Sequence, residues 1–377
     1  MDPEEKSVIS FRVEKSSEHA RQGVLGTNHG EIATPAFMPV GTQAAVKAVS
    51  SEEVIETGAR MQIMNTYHLW LRPGPELIAE FGGLHAFARW PHAIVTDSGN
   101  FQAFSLAQRM RASENGFEFA SHLDGKKMLL SPEEAMRVQG LLGSDIAMQL
   151  DVCPPGGSPR ADLVQAVERT TRWAERCLAV RALEQGVFGI VQGGTDTELR
   201  LAHAEALAKL PFDGLALGGF SVGEPIADMY RALAVVGPAL PADRPRYLMG
   251  VGTPSDILTA VGHGIDMFDC VIPTRNARNG QLFTWDGKLV IKNARYRDDP
   301  RPLEEGCTCA ACRGGYSRAY LRHLYLAGEI LVLRLLSQHN LHFYARLMAE
   351  VRTAIAAGKF APWAREKLNL WRGEGVP

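Results

Sequence analysis

The sequence predicts an α/β protein, a (β/α)8 TIM barrel with a small antiparallel layer before it and a further subdomain after it. Three observations lead to the barrel. Eight short, nearly continuous apolar runs recur along the 377-residue chain, as expected for strands covered on both faces. The segments between them have the pattern of amphipathic helices. No Gly-rich phosphate fingerprint follows the first run, which argues against the main alternative, a doubly wound open sheet.

The predicted strands alternate with helices along the chain. Two helices have clear starts, because Ser50 precedes Glu52 and Glu53, and Ser131 precedes a proline and two glutamates. Residues 8–33 alternate in hydropathy and turn at glycines, which predicts the small antiparallel layer. The eight predicted strands are residues 35–41, 61–66, 93–97, 145–151, 187–192, 214–218, 247–251 and 267–272.

Composition excludes several classes of protein. The chain is 46% hydrophobic and 22% charged, which is typical of a folded globular protein. Its formal charge is only -2, so a site for a polyanion has to be regional. The chain start has no basic region followed by an apolar run, and no stretch of about eighteen apolar residues occurs. We therefore expect a cytoplasmic protein with no membrane association.

Polar residues end several of the predicted strands. In barrels of this type the chemistry lies at the carboxyl ends of the strands. Asp97, Asp151 and Asp269 end strands three, four and eight, and Gln192 ends strand five. One such Asp is commonly a helix cap or a turn residue, whereas three with an amide predict a site. Carboxylates held close together have pKa values pushed apart, so one can be a nucleophile while another carries a proton.

Three of the six cysteines crowd into residues 307–312, and histidines follow. This density of soft ligands predicts a closed zinc site, and four protein ligands would make the metal structural. His342 is an alternative fourth ligand and His323 a weaker one, and three buried free thiols are the other interpretation. The four predicted ligands are Cys307, Cys309, Cys312 and His339.

The region around these cysteines is basic. Residues 271–325 contain ten Lys and Arg against five Asp and Glu. Such a surplus beside the predicted site is typical of phosphate contacts, although a solvated helix face is the alternative.

Several motifs follow one another in a distinctive order: DSGNFQAFSL, SDIAMQLDVC, GIVQGG, LALGGFSVGE, YLMGVG, FDCVIPTRNARNG, and CTCAAC followed by HN. From about residue 23 to residue 344 the chain resembles the bacterial type of tRNA-guanine transglycosylase. The resemblance implies a (β/α)8 barrel with an inserted zinc subdomain. It also implies exchange of guanine at wobble position 34 of tRNAs with GUN anticodons (those for Asp, Asn, His and Tyr) for a 7-deazaguanine precursor of queuosine.

The resemblance further implies roles for single residues. Asp269 matches the nucleophile and Asp97 the general acid/base of a double displacement through a covalent intermediate. Asp151 would accept from the N1 and amino edge of guanine, and Gln192 and the Gly219 amide would donate to O6. The complete set implied to bind the base, which must be flipped out of the RNA, is Asp151, Gln192, Gly219, Phe220, Met249, Phe101 and Cys153. The residues implied to bind tRNA are Arg275, Arg278 and Asn279.

The sequence departs from the family pattern around the expected base. Asn100, Phe101, Val152 and Phe220 stand where the family usually has Gly, Tyr, Glu and Leu. Val222 is similar to the bacterial form that takes preQ1, since enzymes that take the bulkier queuine tend to have Gly there. We therefore expect preQ1 as the incoming base, with queuine or preQ0 as the alternatives.

Other classes fit the sequence less well. A silent tRNA-binding subunit would be expected to lack part of the Asp97 and Asp269 pair, and a relative acting on DNA would be expected to lack the zinc region. A metal-dependent hydrolase would need histidines on strand ends, where only His68 stands near one. The resemblance also implies a homodimer formed through the zinc subdomain, for which Tyr316, Tyr320 and His323 provide suitable aromatic surface.

These expectations divide the chain into four parts. They are an antiparallel layer (1–33), the catalytic barrel (34–275), a zinc-binding and tRNA-contacting subdomain (276–345) and a C-terminal helical segment (346–377).

Overall fold

The computed structural model describes residues 8–100 and 111–372. It begins with a three-stranded antiparallel sheet, which confirms the small layer predicted ahead of the barrel. Its strands are β1 (Ser10–Ser17), β2 (Ala20–Thr27) and β3 (Gly30–Thr34).

The central sheet contains nine parallel segments, and each of the eight predicted strands coincides with one or two of them. The first predicted strand is split at Pro39, which has no N–H to give to the ladder. Its two halves form the two ends of the sheet, so the sheet closes into the predicted (β/α)8 barrel. In chain order the segments are β4 (Ala36–Met38), β5 (Val40–Gly41), β6 (Met61–Met64), β7 (Ala93–Thr96), β11 (Ile146–Met148), β12 (Gly186–Val191), β13 (Gly214–Leu217), β14 (Arg246–Leu248) and β15 (Met267–Asp269).

Helices surround the barrel. The two predicted starts are confirmed, because the Ser50 side chain accepts from Glu53 N and the Ser131 side chain from Glu134 N. The helices are α1 (Ser51–Glu56), α2 (Thr66–Leu71), α3 (Pro75–Glu80), α4 (Gly83–Phe87), α5 (Pro132–Leu142), α6 (Arg160–Ala179), α7 (Thr197–Ala208), α8 (Ile226–Ala239), α9 (Pro254–Gly262) and α10 (Ile272–Arg278). In the described ranges no helix is long and apolar enough to span a membrane.

Among the described residues, two small sheets were not predicted: a two-stranded one after the barrel and a three-stranded one within it.

The three-stranded sheet is an insertion in the barrel. It lies between β7 and α5 and consists of β8 (Arg111–Ala112), β9 (Phe117–Ala120) and β10 (Lys127–Leu130). Its strands are two to four residues long, too short for a periodic pattern to be visible in the sequence.

The N-terminal sheet closes one end of the barrel. Ile9, Leu25 and Ile32 belong to the same buried apolar cluster as Met38 inside the barrel. The approach is close, because a Cβ on Gly186 would lie 2.2 Å from Cγ1 of Ile9. The N-terminal sheet therefore fills the amino end of the barrel.

After the barrel the chain forms a subdomain with its own apolar core. Its longest helix, α13 (Ile330–Ala356), leaves this core and returns to the barrel, where Tyr344 Oη donates to Gly252 O at 2.6 Å. The helix is continuous through residue 345, so one element belongs to both the subdomain and the barrel wall. The elements are β16 (Gln281–Thr284), β17 (Gly287–Val290), a 3-10 turn (Ala294–Tyr296), α11 (Ala310–Arg313), α12 (Arg318–Ala327), α13 (Ile330–Ala356) and α14 (Phe360–Arg372).

Candidate active site

The carboxyl ends of the barrel strands, hereafter the rim, surround a cavity of about 650 Å³. Asp97 follows β7, Asp269 is the last residue of β15, and Asp151 lies three residues after β11. All three line this cavity together with Gln192. The structure thus brings together the polar strand ends that the sequence singled out.

Asp97 lies on the cavity wall among neutral donors. Its Oδ1 accepts from the main-chain N of Thr66 and of Gly99, each at 3.0 Å, and its Oδ2 accepts from Asn65 Nδ2 at 2.5 Å. Burial raises the pKa of Asp97 to about 7, and the nearby charge of Asp269 adds to the rise, against the lowering effect of the donors. Near neutral pH this carboxyl group can therefore both give and take a proton.

Asp269 has an asymmetric environment. Tyr247 Oη donates to its Oδ1 at 2.5 Å, and Gly250 N donates to the same oxygen at 2.8 Å. Burial raises the pKa of Asp269, while these two donors favour its ionised form. Oδ2 has no donor among the described residues, so it is the oxygen available to a ligand in the cavity.

Asp151 is buried and bonded to the amide of Gln192. Gln192 Nε2 donates to Asp151 Oδ2 at 2.6 Å, and Ser98 Oγ donates to Oδ1 at 3.4 Å. Burial raises the pKa of Asp151 to about 6. Gln192 Oε1 is buried without a partner among the described residues, so the Gln192 amide has one unused acceptor beside the cavity.

The remaining residues expected around a base occupy the same wall. Gly219, Phe220, Met249 and Cys153 all line the cavity. The ring of Phe220 is only 3% exposed, so it forms a fixed part of the wall. Phe101 lies outside the described residues.

The three residues expected to contact RNA follow the Asp269 strand. Arg275 is exposed and lines the cavity, and Asn279 is exposed at the end of α10. Arg278 is partly buried, with its Nη1 lacking a partner among the described residues. Burial lowers the pKa of Arg278, and the charge of Arg275 acts in the same direction. Arg275 therefore places a positive charge at the cavity, and Arg278 follows it on the same helix.

Three cysteines and one histidine meet in the subdomain, with ligand atoms all within 4.8 Å of one another. His339 Nδ1 lies 3.4 to 3.9 Å from the three sulfur atoms. Its other nitrogen, Nε2, donates to Phe283 O at 2.9 Å, which leaves the lone pair of Nδ1 facing the sulfurs. The set is Cys307, Cys309, Cys312 and His339.

The alternative histidines lie elsewhere. His342 contacts Thr308 Oγ1 at 3.1 Å and Thr57 O at 3.3 Å, so both of its ring nitrogens have partners outside the cluster. His323 is exposed on α12. The donor set of three thiols and one imidazole fits a closed tetrahedral metal site, and these four residues are able to hold a metal ion.

Sequence reasoning missed the residues that hold the carboxylates. Asn65 follows β6, and its position at a strand end was a usable signal. Tyr247 is fully buried in β14, where a tyrosine reads as one more core residue. Its hydroxyl is identified as a partner of Asp269 only once the barrel has closed.

Comparisons with known proteins agree with this architecture. The chain matches the family described as "Queuine tRNA-ribosyltransferase" over residues 16–372. A protein of that name from Sorangium cellulosum is 66% identical over 351 residues, covering 93% of this chain and 89% of the relative. Another from Neisseria meningitidis serogroup A is 52% identical, covering 94% and 96% of the two chains. One from Fusobacterium nucleatum is 49% identical, covering 98% and 100%. The chain therefore belongs to the queuine tRNA-ribosyltransferase family.

Proposed function

We propose that this tRNA-guanine transglycosylase exchanges guanine at wobble position 34 of GUN-anticodon tRNAs for preQ1, through a covalent enzyme–tRNA intermediate in queuosine biosynthesis. The single observation that carries the proposal is the pair of rim carboxylates on one cavity. Asp97 is held at a pKa of about 7, and Asp269 has one oxygen without a donor among the described residues. One residue is suited to move a proton and the other to attack carbon.

In the first half-reaction, Asp269 Oδ2 attacks C1′ of the flipped nucleotide. A C1′–O bond forms and the bond from C1′ to guanine N9 breaks, while the departing base takes a proton from Asp97. Tyr247 and Gly250 hold Oδ1, which fixes the carboxylate plane as the oxocarbenium-like transition state develops. The ribose is left joined to Asp269 as an ester, and the RNA backbone stays intact.

In the second half-reaction, the incoming base gives its N9 proton to the ionised Asp97 and attacks C1′. The new C1′–N bond forms as the ester bond to Asp269 breaks, which restores both carboxyl groups to their starting protonation states. Two inversions at C1′ give net retention.

Base recognition is assigned to the rest of the cavity wall. Asp151 accepts from the N1 and amino edge, and the Gly219 amide donates to O6. Gln192 Nε2 is bonded to Asp151, so it has to turn from that carboxylate to donate to O6. Met249 and Phe101 would enclose the ring between them.

The cations of α10 are assigned to the RNA. Arg275, Arg278 and Asn279 would contact the nucleotides beside the exchanged base, in the tRNAs for Asp, Asn, His and Tyr. The stacked rings of Tyr316 and Tyr320, 5.7 Å apart, supply aromatic surface for a homodimer in the cytoplasm.

The metal is proposed to be one structural zinc ion per chain. Zinc would link residues 307–312 to His339 and so fasten the subdomain to α13. Cys309→Ala should release the zinc and unfold the subdomain locally, measured by metal analysis and proteolysis. His342→Ala is the matched control and should retain one zinc. Loss of zinc from His342→Ala, with zinc retained in His339→Ala, would show that His342 and not His339 is the fourth ligand.

The function is tested by base exchange. Labelled guanine, preQ1, preQ0 and queuine are each offered with a GUN-anticodon tRNA, and a tRNA with another base at position 34 serves as control. Incorporation of preQ1 only at a guanine in position 34, with a denaturation-resistant protein–tRNA adduct, is the expected result. A protein that binds tRNA but exchanges no base would instead be a non-catalytic subunit.

The choice of base is tested at Val222. It lines the cavity beside Phe220, and the pair fills the volume that the cyclopentenediol of queuine would need. Val222→Gly should therefore raise queuine incorporation more than preQ1 incorporation. Equal use of queuine and preQ1 by the parent enzyme would contradict this steric argument.

A further inference from the structure

A fully buried arginine lies beneath the rim. Arg200, in α7, is 0% exposed. It donates to four main-chain carbonyl oxygens: Nε to Gly194 O, Nη1 to Val191 O at 3.2 Å, and Nη2 to Gly218 O at 2.8 Å and Gly219 O at 3.4 Å. These oxygens lie at or just after the carboxyl ends of β12 and β13, so one guanidinium joins two neighbouring strand ends of the rim.

The turns are shaped around this side chain. A Cβ on Gly193 would lie 2.9 Å from Cγ of Arg200, and a Cβ on Gly219 would lie 2.3 Å from Gln192 Oε1. Phe220 covers the other side, with its ring centroid 3.7 Å from the guanidinium carbon. Gly193 is therefore needed for the close approach of the buried arginine, and Gly219 for the close approach of the Gln192 amide.

Keeping a charge there costs free energy. Burial lowers the pKa of Arg200 to about 9, and its hydrogen bonds go to neutral carbonyl oxygens. A buried charge without a bonded counterion is expensive, and an apolar side chain could fill such a space at lower cost. The positions of the hydrogen bonds that Arg200 donates offer a reason for an arginine at this place.

The decisive contact is with Gly218 O. This oxygen and the N–H of Gly219 belong to one planar trans peptide unit, in which the two groups point in opposite directions. Because the oxygen is bonded to Arg200, the Gly219 N–H is directed away from the arginine. Both glycines line the cavity, and the Gly219 N–H has no acceptor among the described residues. The same contact polarises the peptide and strengthens its donor.

We propose that Arg200 is the positioning residue that makes the rim selective for purine-type bases with a carbonyl oxygen, rather than an amino group, at C6. It does not touch the base but aims the Gly219 donor at that oxygen. An amino group at C6 would leave this donor unsatisfied and bring two donors face to face. The inference rests on the proposed exchange of a guanine-type base.

The test compares guanine with 2,6-diaminopurine, which has an amino group in place of the C6 carbonyl and therefore no proton on N1. Because the N1 difference is the same in every variant, the quantity compared is the change in the guanine-to-diaminopurine ratio between variants. Arg200→Lys keeps a positive charge but loses the planar fork that holds several carbonyls at once. Inhibition constants for both bases are measured against exchange of labelled guanine. Affinity for guanine should fall about tenfold, the value of one hydrogen bond, while that for 2,6-diaminopurine stays nearly constant. The discrimination ratio should therefore fall about tenfold.

Arg246→Lys is the matched control. Arg246 is also buried, has a pKa lowered to about 10 by burial, and donates to the carbonyls of Leu240, Pro241 and Gly264 at the opposite end of the barrel. The Arg246→Lys variant should lose thermal stability, as Arg200→Lys does, but keep the parental ratio of guanine affinity to 2,6-diaminopurine affinity. A parental ratio in Arg200→Lys, or the same change in both variants, would show a purely structural role and overturn the proposal.

Phe220→Leu covers the case in which Arg200→Lys does not fold. Loss of the covering ring admits water to compete for the guanidinium, so the ratio should fall about twofold to threefold. An unchanged ratio in this variant overturns the inference. A parent enzyme that exchanges no base overturns the proposed function and the inference with it, whereas exchange with unaltered ratios overturns the inference alone.

Discussion

At the amino end of the barrel, buried carboxylates are bonded to cationic or imidazole groups. Asp266, just before β15, accepts from Arg21 through both oxygens, at 2.9 and 2.6 Å. Asp145, just before β11, accepts from His29 at 2.7 Å and His85 at 3.1 Å. Each carboxylate therefore has both oxygens occupied, and each joins distant parts of the chain.

At the carboxyl end of the same strands, the bonded partners are neutral. Asp97 accepts from main-chain amides and Asn65, and Asp269 accepts from Tyr247 and one main-chain amide. Burial raises the pKa of Asp97 and Asp269, and it also raises the pKa of Asp266, against the lowering effect of Arg21. What separates the two ends is therefore the partner: Arg21 occupies both oxygens of Asp266, whereas Asp97 and Asp269 line the cavity with no bonded cation among the described residues.

The largest expected effect is at the rim. Asp269→Asn should lower exchange by on the order of 10³-fold or more, because an amide is a poor nucleophile. Thermal stability should be equal or higher, since the variant removes a charge that repels Asp97 while its amide oxygen can still accept from Tyr247. Steady-state exchange and calorimetry measure the two effects. Adduct formation by Asp269→Asn, but not by Asp97→Asn, would reverse the two roles.

An Asp→Asn substitution at the amino end should lower stability and leave exchange unchanged. Asp266→Asn leaves the buried Arg21 without its counterion, which typically costs about 3–5 kcal/mol of unfolding free energy. The value of kcat at a temperature where the protein is folded should be unchanged. Denaturant unfolding measures the change in unfolding free energy, and an exchange assay on the same sample measures kcat. Loss of exchange with unchanged stability would break the distinction between the two ends.

A smaller effect is expected at Asp145. Burial opposes its ionisation, but the hydrogen bonds from His85 and His29 outweigh burial and lower the pKa below its usual 3.8. Such a group stabilises the fold above the unfolded pKa, and the contribution is lost as pH falls through the folded pKa. Asp145→Asn should therefore cost about 1–3 kcal/mol at pH 7, and the difference from the parent should shrink below about pH 4. A difference independent of pH would contradict the ionic account.

The two ends also differ in how far the sequence predicts them. The rim residues could be found because each follows an apolar strand, and barrel closure brings such ends together. The bond between Arg21 and Asp266 joins residues 245 positions apart, and no local pattern announces it. The same holds for Tyr247, whose hydroxyl reaches a carboxylate on the neighbouring strand. Strand ends are local features, whereas the partners of their side chains depend on register and closure.

Two features of the fold could not be predicted from the sequence, because neither changes the local hydropathy pattern. The sheet β8–β10 has strands too short for a hydropathy period, and Pro39 splits the first barrel strand without interrupting its apolar run. The metal cluster was visible because three ligands lie within residues 307–312. The choice of His339 over His342 depended on which face of α13 meets that segment.

The smallest effect sharpens the comparison at Asp97 itself. Asn65 both caps α2, through Oδ1 accepting from His68 N, and donates to Asp97 through Nδ2. Asn65→Ser should keep the cap but lose the donor to Asp97. Because that donor favours the ionised carboxylate, its loss should raise the pKa of Asp97 above about 7. Because Asp97 starts the proposed reaction protonated, the alkaline limb of kcat/KM should move up by about one pH unit, equivalent to about 1.4 kcal/mol. Asn65→Ala, which loses the cap as well, should show the same limb with a lower Tm. An unmoved limb in both variants would mean that another group governs it.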